Sequence, residues 1–172
     1  MGVVVADTSA LVSLGTVIEH PSSPLEVLIE QHRLVVPEQV VDELEETAAF
    51  ADRSGRAATA VLDRRDALDV RETDLDGDFP LDDGENAAVT LANDLDATQL
   101  LCDEFNSLAL VHASLADTRL VTTPTLLTAL ARTGLLESSV AEDLLSEMSD
   151  ARSWDDNTYV ARASETLRKT EE

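Results

Sequence analysis

The acidic residues that stand out in this sequence are those that directly follow short apolar segments. Asp7 comes after "VVVA", and Asp103 comes after "TQLLC". If both segments are parallel strands, their carboxyl ends meet at one edge of the sheet, and the two carboxylates lie there together. Each aspartate could instead be the N-cap of the helix that follows, where its side chain accepts a hydrogen bond from an unpaired backbone N–H. Position alone leaves both interpretations open.

Two glutamates occupy helical positions near the predicted core. Glu43 lies about 60° around its helix from the apolar Val40, at the edge of the apolar face. Glu85 precedes Ala88 by three residues, so it faces the core from the first turn of its own helix. The alternatives are an ordinary boundary carboxylate for Glu43 and, for Glu85, a capping box with Asp82 as N-cap.

Converging carboxylates predict a divalent cation, because they cannot all remain ionised without one. Hard oxygen ligands select Mg²⁺ or Mn²⁺ over Zn²⁺. Such a site polarises a phosphodiester and activates water, so no nucleophilic side chain is required. The predicted metal ligands, which are also the predicted catalytic residues, are Asp7, Glu43, Glu85 and Asp103. Thr8 and Ser9 are predicted to orient these acids from a second layer.

The sequence argues against several other chemistries. It contains no Gly-rich phosphate loop and no HExxH motif, and His20, His32 and His112 lack the spacing of metal ligands. A receiver-type phospho-acceptor domain needs a lysine late in its core, whereas the only lysine, Lys169, lies in the terminal tail. A phosphatase with an aspartyl nucleophile needs a second acid two residues later, where this chain has Ser9.

Strands alternate with helices along the chain. Apolar runs and turn signals predict strands at 2–6, 33–37, 69–73, 97–102 and 119–123. Helices are predicted at 9–19, 24–32, 38–50, 56–67, 85–95, 104–116 and 124–133, with two more in 137–172 that join near Trp154. This order predicts an α/β fold, a three-layer α/β/α sandwich with a mostly parallel central sheet. We expect a single domain over 1–172, with a core of about 1–135 and a C-terminal helical extension, 136–172, packed on it.

Composition indicates the setting in which the protein works. There are 35 acidic residues against 12 basic ones, a net charge of −23, and the acids are spread along the whole chain. Such self-repulsion favours a halophilic, haloarchaeal cytoplasmic protein; an acidic mesophilic protein, or one with a basic partner, is the alternative. Neither a signal peptide nor a membrane helix of roughly 18 apolar residues is predicted. The lone Cys102 fits a reducing cytoplasm.

Four arginines between positions 53 and 65 could contact phosphate. They are Arg53, Arg56, Arg64 and Arg65, on a predicted exposed helix. Helical spacing favours the alternative, in which these arginines form ion pairs with acids four positions away.

The motifs in this order resemble those of the PIN-domain ribonucleases. "VVVADTSALVSL" is similar to their opening strand and Asp-Thr/Asn-Ser motif, and "VVPEQVVDEL" resembles the second motif, with its acid at Glu43. "LDDGENAAVTLAND" is similar to the GE-x-x-A-x-x-LA helix of one branch, with the acid at Glu85. "ATQLLCDEFNSLALVHA" resembles the strand-Asp motif, which gives Asp103. "RLVTTPTLLTALARTGLL" and "SWDDNTYVARASE" resemble the tail of that branch, whose members are prokaryotic proteins mostly of unassigned role. The family usually has another Asp and then basic residues after Asp103, where this chain has Glu104 and Phe105.

The resemblance implies a Mg²⁺- or Mn²⁺-dependent endoribonuclease that cleaves RNA phosphodiester bonds by metal-activated water. It also implies that the protein is the toxin of a toxin–antitoxin pair or an RNA-processing nuclease, with RNA as substrate, an antitoxin as a possible partner, and a homodimeric state. The alternative is a non-catalytic PIN-like module that acts through protein partners and keeps the acids as fold and cap residues. A net charge of −23 opposes binding to RNA at low salt, and molar salt weakens that repulsion.

Overall fold

The computed structural model describes residues 2–171, and their strands form one parallel sheet. The strands are β1 (Val3–Ala6), β2 (Arg33–Pro37), β3 (Asp69–Arg71), β4 (Gln99–Leu101) and β5 (Arg119–Val121), in the order β3-β2-β1-β4-β5. In register, Val5 of β1 lies between Val35 of β2 and Leu100 of β4. The chain builds outward from β1 to β3, then returns to the other side of β1 with β4. A crevice therefore opens at the carboxyl ends of β1 and β4, where ligands bind in sheets of this kind.

Helices cover both faces of the sheet. They are α1 (Thr8–Gly15), α2 (Pro24–Gln31), α3 (Glu38–Ala48), α4 (Arg53–Leu62), α5 (Asp83–Asp94), α6 (Leu108–Ser114), α7 (Thr123–Arg132), α8 (Ser138–Arg152) and α9 (Thr158–Glu171). A short 3-10 helix, Arg65–Ala67, follows α4. None of the helices in the described part of the chain is long and apolar enough to cross a membrane.

Two hydrophobic clusters hold the layers together, one on each face of the sheet. Val4 belongs to the cluster that includes α1, α3, α7 and α8, whereas the adjacent Val5 belongs to the cluster around α5 and α6. Because successive side chains of a strand point to opposite faces, both neighbours are buried and the strand is continuously apolar. Met148 of α8 and Leu167 of α9 are buried in the first cluster. The predicted α/β/α sandwich with its parallel sheet is confirmed.

Several predicted helix boundaries are wrong, each for a local reason. Helix α4 begins at Arg53 rather than 56, because the carboxylate of Asp52 accepts the Gly55 N–H at 2.7 Å and starts the helix early. Helix α6 begins at Leu108 rather than 104, because 104–107 forms a turn in which the Ser107 N–H donates to the Glu104 carbonyl at 2.8 Å. The second difference places Glu104 in a loop at the end of β4.

Three of the four arginines between 53 and 65 pair with acids on other helices, so the predicted spacing of four residues is wrong for them. The pairs are Arg53–Asp150 at 3.1 Å, Arg64–Glu26 at 2.5 Å and Arg65–Glu45 at 3.6 Å. All are at least partly exposed, and such pairs contribute about 0 to 1 kcal/mol each to stability. They link α4 and the segment after it to α8, α2 and α3.

Candidate functional site

A cavity of ≈ 340 Å³ lies at the carboxyl ends of β1 and β4, within the crevice described above. Its polar lining consists largely of acids and small hydroxyl residues: Asp7, Glu43, Glu46, Asp82, Glu104, Thr8, Ser9, Thr47 and Ser54, with Arg152 as the cation. Two of the four predicted site acids, Asp7 and Glu43, line this cavity directly. The other two do not line it: Glu85 follows the lining residue Asp82 by three positions, and Asp103 directly precedes the lining residue Glu104.

Asp7 lies at the end of β1, where its N–H donates to the Leu101 carbonyl of β4 at 2.9 Å. It occupies the N-cap position of α1, yet its side chain makes no capping hydrogen bond within the described structure. Instead, the carboxylate accepts from Ser9 Oγ at 3.2 Å and from Cys102 Sγ at 3.5 Å. Burial raises the pKa of the Cys102 thiol, which keeps it protonated as a donor. The helix-cap interpretation of Asp7 is therefore not supported by its side-chain contacts.

The electrostatics of Asp7 reflect both burial and crowding. The residue is 3% exposed, and desolvation raises the pKa of its carboxyl from 3.8 to about 7. The Thr8 backbone N–H opposes this shift, and the charges of Glu43, Glu85 and Asp82 add to it. Asp7 therefore lies within the field of three other carboxylates, and like charges nearby raise the pKa of a carboxyl.

Glu43 is held from two sides. Thr8 Oγ1 donates to its Oε1 at 2.6 Å, and a Cβ built on Gly84 of α5 would lie 2.6 Å from its carboxyl carbon. The carboxylate thus rests against the bare backbone at the start of α5. Burial raises the pKa of Glu43, Thr8 lowers it, and Asp82 is the leading acid that raises it further. Glu43 is half-buried, which agrees with its predicted position at the edge of the apolar face.

Glu85 combines a capping position with a buried carboxylate. Its N–H donates to the Asp82 side chain at 2.8 Å, so the predicted Asp82 N-cap is confirmed. The residue is 7% exposed. Burial, then Asp82, then Glu104 raise the pKa of its carboxyl, while the Asp82 backbone N–H and the Ser107 hydroxyl oppose the shift. The Asp82 cap therefore satisfies the Glu85 backbone N–H, but the Glu85 carboxylate is still repelled by Asp82 and Glu104.

Asp103 is buried at the end of β4, and both of its carboxylate oxygens have partners. Thr123 donates to them through its N–H at 2.7 Å and its Oγ1 at 2.5 Å. Thr123 is the first residue of α7, whose N-cap is Thr122, so Asp103 accepts hydrogen bonds from the start of α7 rather than from α6, the helix that follows it in sequence. Burial raises the pKa of Asp103 despite these donors. The Asp103 N–H also donates to Ser9 Oγ at 2.9 Å, so Ser9 connects Asp7 with Asp103.

Four charged cavity residues, Glu46, Asp82, Glu104 and Arg152, are not among the predicted site residues. Asp82 was predicted only as a cap, although it lies two residues before the small Gly84 that admits Glu43. Glu104 follows Asp103 and reaches the cavity because the turn at 104–107 replaces the expected helix. Arg152 ends α8, far along the chain, and no pattern around it indicates that it reaches this place.

Comparison with known families agrees with this geometry. A family model described as the PIN domain matches residues 3–171. The chain belongs to the PIN-domain family. PIN domains are generally nucleases and typically use divalent metal ions. No curated protein and no solved structure matches the chain.

The donor chemistry of this PIN domain fits a hard cation. The cavity offers carboxylate and hydroxyl oxygens, which are the ligands of Mg²⁺ and Mn²⁺. The raised pKa values of Asp7 and Glu43 arise partly from neighbouring carboxylates, a repulsion that a divalent cation relieves. Among residues 2–170, however, no three acidic, histidine or cysteine side chains stand close enough together to form a ready ligand group. The acids share a cavity without converging on one point.

Proposed function

We propose that this PIN domain is a metal-dependent endoribonuclease that hydrolyses RNA phosphodiester bonds. The observation that carries the proposal is the acid-lined cavity at the carboxyl ends of β1 and β4. Burial raises the pKa of all four acids proposed as catalytic metal ligands, Asp7, Glu43, Glu85 and Asp103. Grouped carboxylates with perturbed pKa values in a cleft are typical of functional sites.

The residues of the chain have distinct parts in this proposal. Asp7 and Glu43 would hold Mg²⁺ or Mn²⁺ from the cavity wall, with Glu85 and Asp103 beside them. Thr8 fixes the Glu43 carboxylate, and Ser9 ties the Asp7 carboxylate to the backbone of Asp103. A bound divalent cation supplies Lewis-acid activation of water and of the phosphodiester. Because carboxylates bind a cation in their ionised form, the raised pKa values of these acids would make cation affinity increase with pH.

Cleavage of single-stranded RNA with added Mn²⁺ at molar salt tests the proposal directly. Asp7→Asn keeps the size of the side chain and removes its charge. We expect a larger loss of kcat/KM than the roughly 10- to 100-fold typical of residues that only support a metal ligand. Asp42→Asn, at an exposed acid on α3, is the matched control and should leave cleavage unchanged. Undiminished cleavage by Asp7→Asn would contradict the role of Asp7 as a catalytic metal ligand.

A non-catalytic binding module is the second candidate function. It is favoured by the Thr123 hydrogen bonds on both oxygens of Asp103, and by the spacing of the acids in the described residues. Titration of Mn²⁺ at high salt separates the two candidates. A rise in melting temperature for the wild type that is absent in Glu43→Gln supports the nuclease, and no rise in either protein supports the binding module.

We further propose that RNA is the substrate and that the protein works in the cytoplasm as a homodimer, as the toxin of a toxin–antitoxin pair. Family membership supports the nucleic-acid substrate alone. Induced expression of the wild type should arrest growth of a host, and Asp7→Asn should not. Co-expression of a small protein encoded beside this gene should relieve the arrest, and light scattering of the purified protein measures the oligomeric state.

A further inference from the structure

We infer that Arg152 is the phosphate-binding group of the acid-lined cavity, where its guanidinium holds an anionic oxygen of the scissile phosphodiester. The inference deepens the proposed ribonuclease function and rests on it. In this role Arg152 would contact the reacting phosphodiester directly. It comes from α8, in the C-terminal helical extension, so this extension would contribute directly to the site.

The guanidinium of Arg152 is unusual because it is enclosed yet poorly partnered. Its Nη1 donates to Ser54 Oγ at the long distance of 3.4 Å. Its Nε is buried, and in the described part of the chain no residue accepts a hydrogen bond from it. Arg64 shows the ordinary outcome for this side chain, since it binds both oxygens of Glu26 at 2.5 and 2.7 Å. A buried N–H donor without an acceptor indicates a place for a ligand.

The carboxylates of Asp103 and Glu104 attract the Arg152 guanidinium without neutralising its charge. Burial lowers the pKa of its guanidinium, and the fields of Asp103 and Glu104 oppose this shift. An arginine keeps its proton under all ordinary conditions, so the cavity contains a lasting positive charge. Within the described residues, neither acid forms an ion pair with Arg152. The guanidinium is therefore not taken up by a carboxylate of the described residues.

A phosphodiester is an anion that suits this arrangement. The planar guanidinium presents parallel N–H donors that match two oxygens of one phosphate. In a chain of net charge −23, a local cation is needed wherever a polyanion must approach the backbone closely. A phosphate between Arg152 and the carboxylates of Asp7 and Glu43 would have its developing negative charge stabilised from the arginine side.

Steady-state cleavage of RNA by three variants tests the role of Arg152. Arg152→Ala should lower kcat/KM by about 100-fold or more, as removal of one charge-stabilising donor does in other enzymes. Arg152→Lys keeps the charge but loses the fork, so it should recover only part of the activity. Arg162→Ala removes an exposed arginine of α9 and should cleave like the wild type. Equal kcat/KM for Arg152→Ala and the wild type overturns the inference.

A second measurement does not depend on activity. The Nε–H resonance of Arg152 in the full chain, assigned by its loss in Arg152→Lys, should shift and saturate as inorganic phosphate is added without metal. The resonance of Arg162 should stay in place. A saturable shift without any RNA cleavage by the wild type would uphold the anion site and refute the proposed function. If the wild type cleaves RNA but the Arg152 resonance does not shift with phosphate, the anion site is refuted and the proposed function is upheld.

Discussion

Asp7 carries a measurable thermodynamic signature of its surroundings. Its carboxyl has a pKa of about 7 in the folded protein against 3.8 as a free side chain. Between these values the folded state retains a proton that the unfolded state has lost. The free energy of unfolding therefore falls as pH rises from about 4 to about 7, by at most about 1.4 kcal/mol per pH unit for this one group. Above pH 7 the contribution of Asp7 is constant and destabilising.

Asp7→Asn should remove the contribution of Asp7 to the pH dependence of the free energy of unfolding, because asparagine does not titrate. Urea unfolding at fixed molar salt, with a chelator present, measures the slope between pH 4.5 and 8. We expect Asp7→Asn to be more stable than the wild type at pH 8 and nearly equal to it below pH 4. Residual slope should remain from Glu43, Glu85 and Asp103, whose pKa values are also raised. A slope identical to that of the wild type would show that Asp7 is not the buried acid described above.

At the scale of elements, the site depends on how closely α5 approaches α3. Gly84 lies in the first turn of α5, and a Cβ there would overlap the carboxylate of Glu43 on α3. Gly84→Ala should displace this carboxylate and break its hydrogen bond from Thr8, because the end of a glutamate side chain moves more easily than a helix backbone. Stability should change by no more than about 1 kcal/mol, since alanine also favours the helix by a similar amount.

RNA cleavage and urea unfolding of the same Gly84→Ala sample measure these two effects separately. Metal-dependent cleavage should fall at least 10-fold at a fixed Mn²⁺ concentration, by analogy with the loss of a group that orients a metal ligand. Gly77→Ala is the matched control, because a Cβ at Gly77 meets nothing within 4 Å. Wild-type cleavage by Gly84→Ala would show that the position of the Glu43 carboxylate does not matter for the reaction.

The elements that could be predicted from sequence are those fixed by local pattern. Alternating apolar strands and amphipathic helices place Asp7 and Asp103 at strand ends, and Asp82 is recognisable as a cap. The turn that replaces the first part of the predicted helix at 104–116 depends on a few backbone hydrogen bonds, and periodicity does not register them. Asp103 meets Thr123 only because the ends of β4 and β5 are adjacent in the folded sheet. The sequence therefore predicts that Asp103 caps α6, the next helix along the chain, and not that it bonds to α7.

Arg152 marks the limit of prediction at the scale of the whole molecule. Its position depends on how α8 packs against the rest of the fold, through buried residues such as Leu144, Leu145 and Met148. Those leucines and methionines predict that the helix is buried on one face, but they do not say which part of the sheet edge its last residue reaches. Contacts that arise only through tertiary packing cannot be predicted from local sequence patterns, whereas the four acids can be recognised from their motifs.

Net charge leads to a prediction about the folded molecule as a whole. With 35 acids and 12 bases, the compact state brings like charges closer than the unfolded chain does. Salt shortens the Debye length from about 10 Å at 0.1 M to about 3 Å at 1 M, which removes most of this repulsion. The melting temperature of the wild type should therefore rise steeply with sodium chloride up to about 1 M and more slowly beyond it.

A charge-reduced variant distinguishes this screening from general effects of salt on water and apolar surfaces. Asp94→Asn, Asp117→Asn and Glu30→Gln together replace three exposed acids, on α5, in the loop before β5 and on α2, all outside the cavity. The triple variant should melt at a higher temperature than the wild type in 0.1 M salt, and the two proteins should converge near 2 M. Parallel curves would mean that salt acts through hydrophobic burial instead. Convergence would show that self-repulsion limits the fold at low salt, the condition under which an RNA substrate is also repelled most strongly.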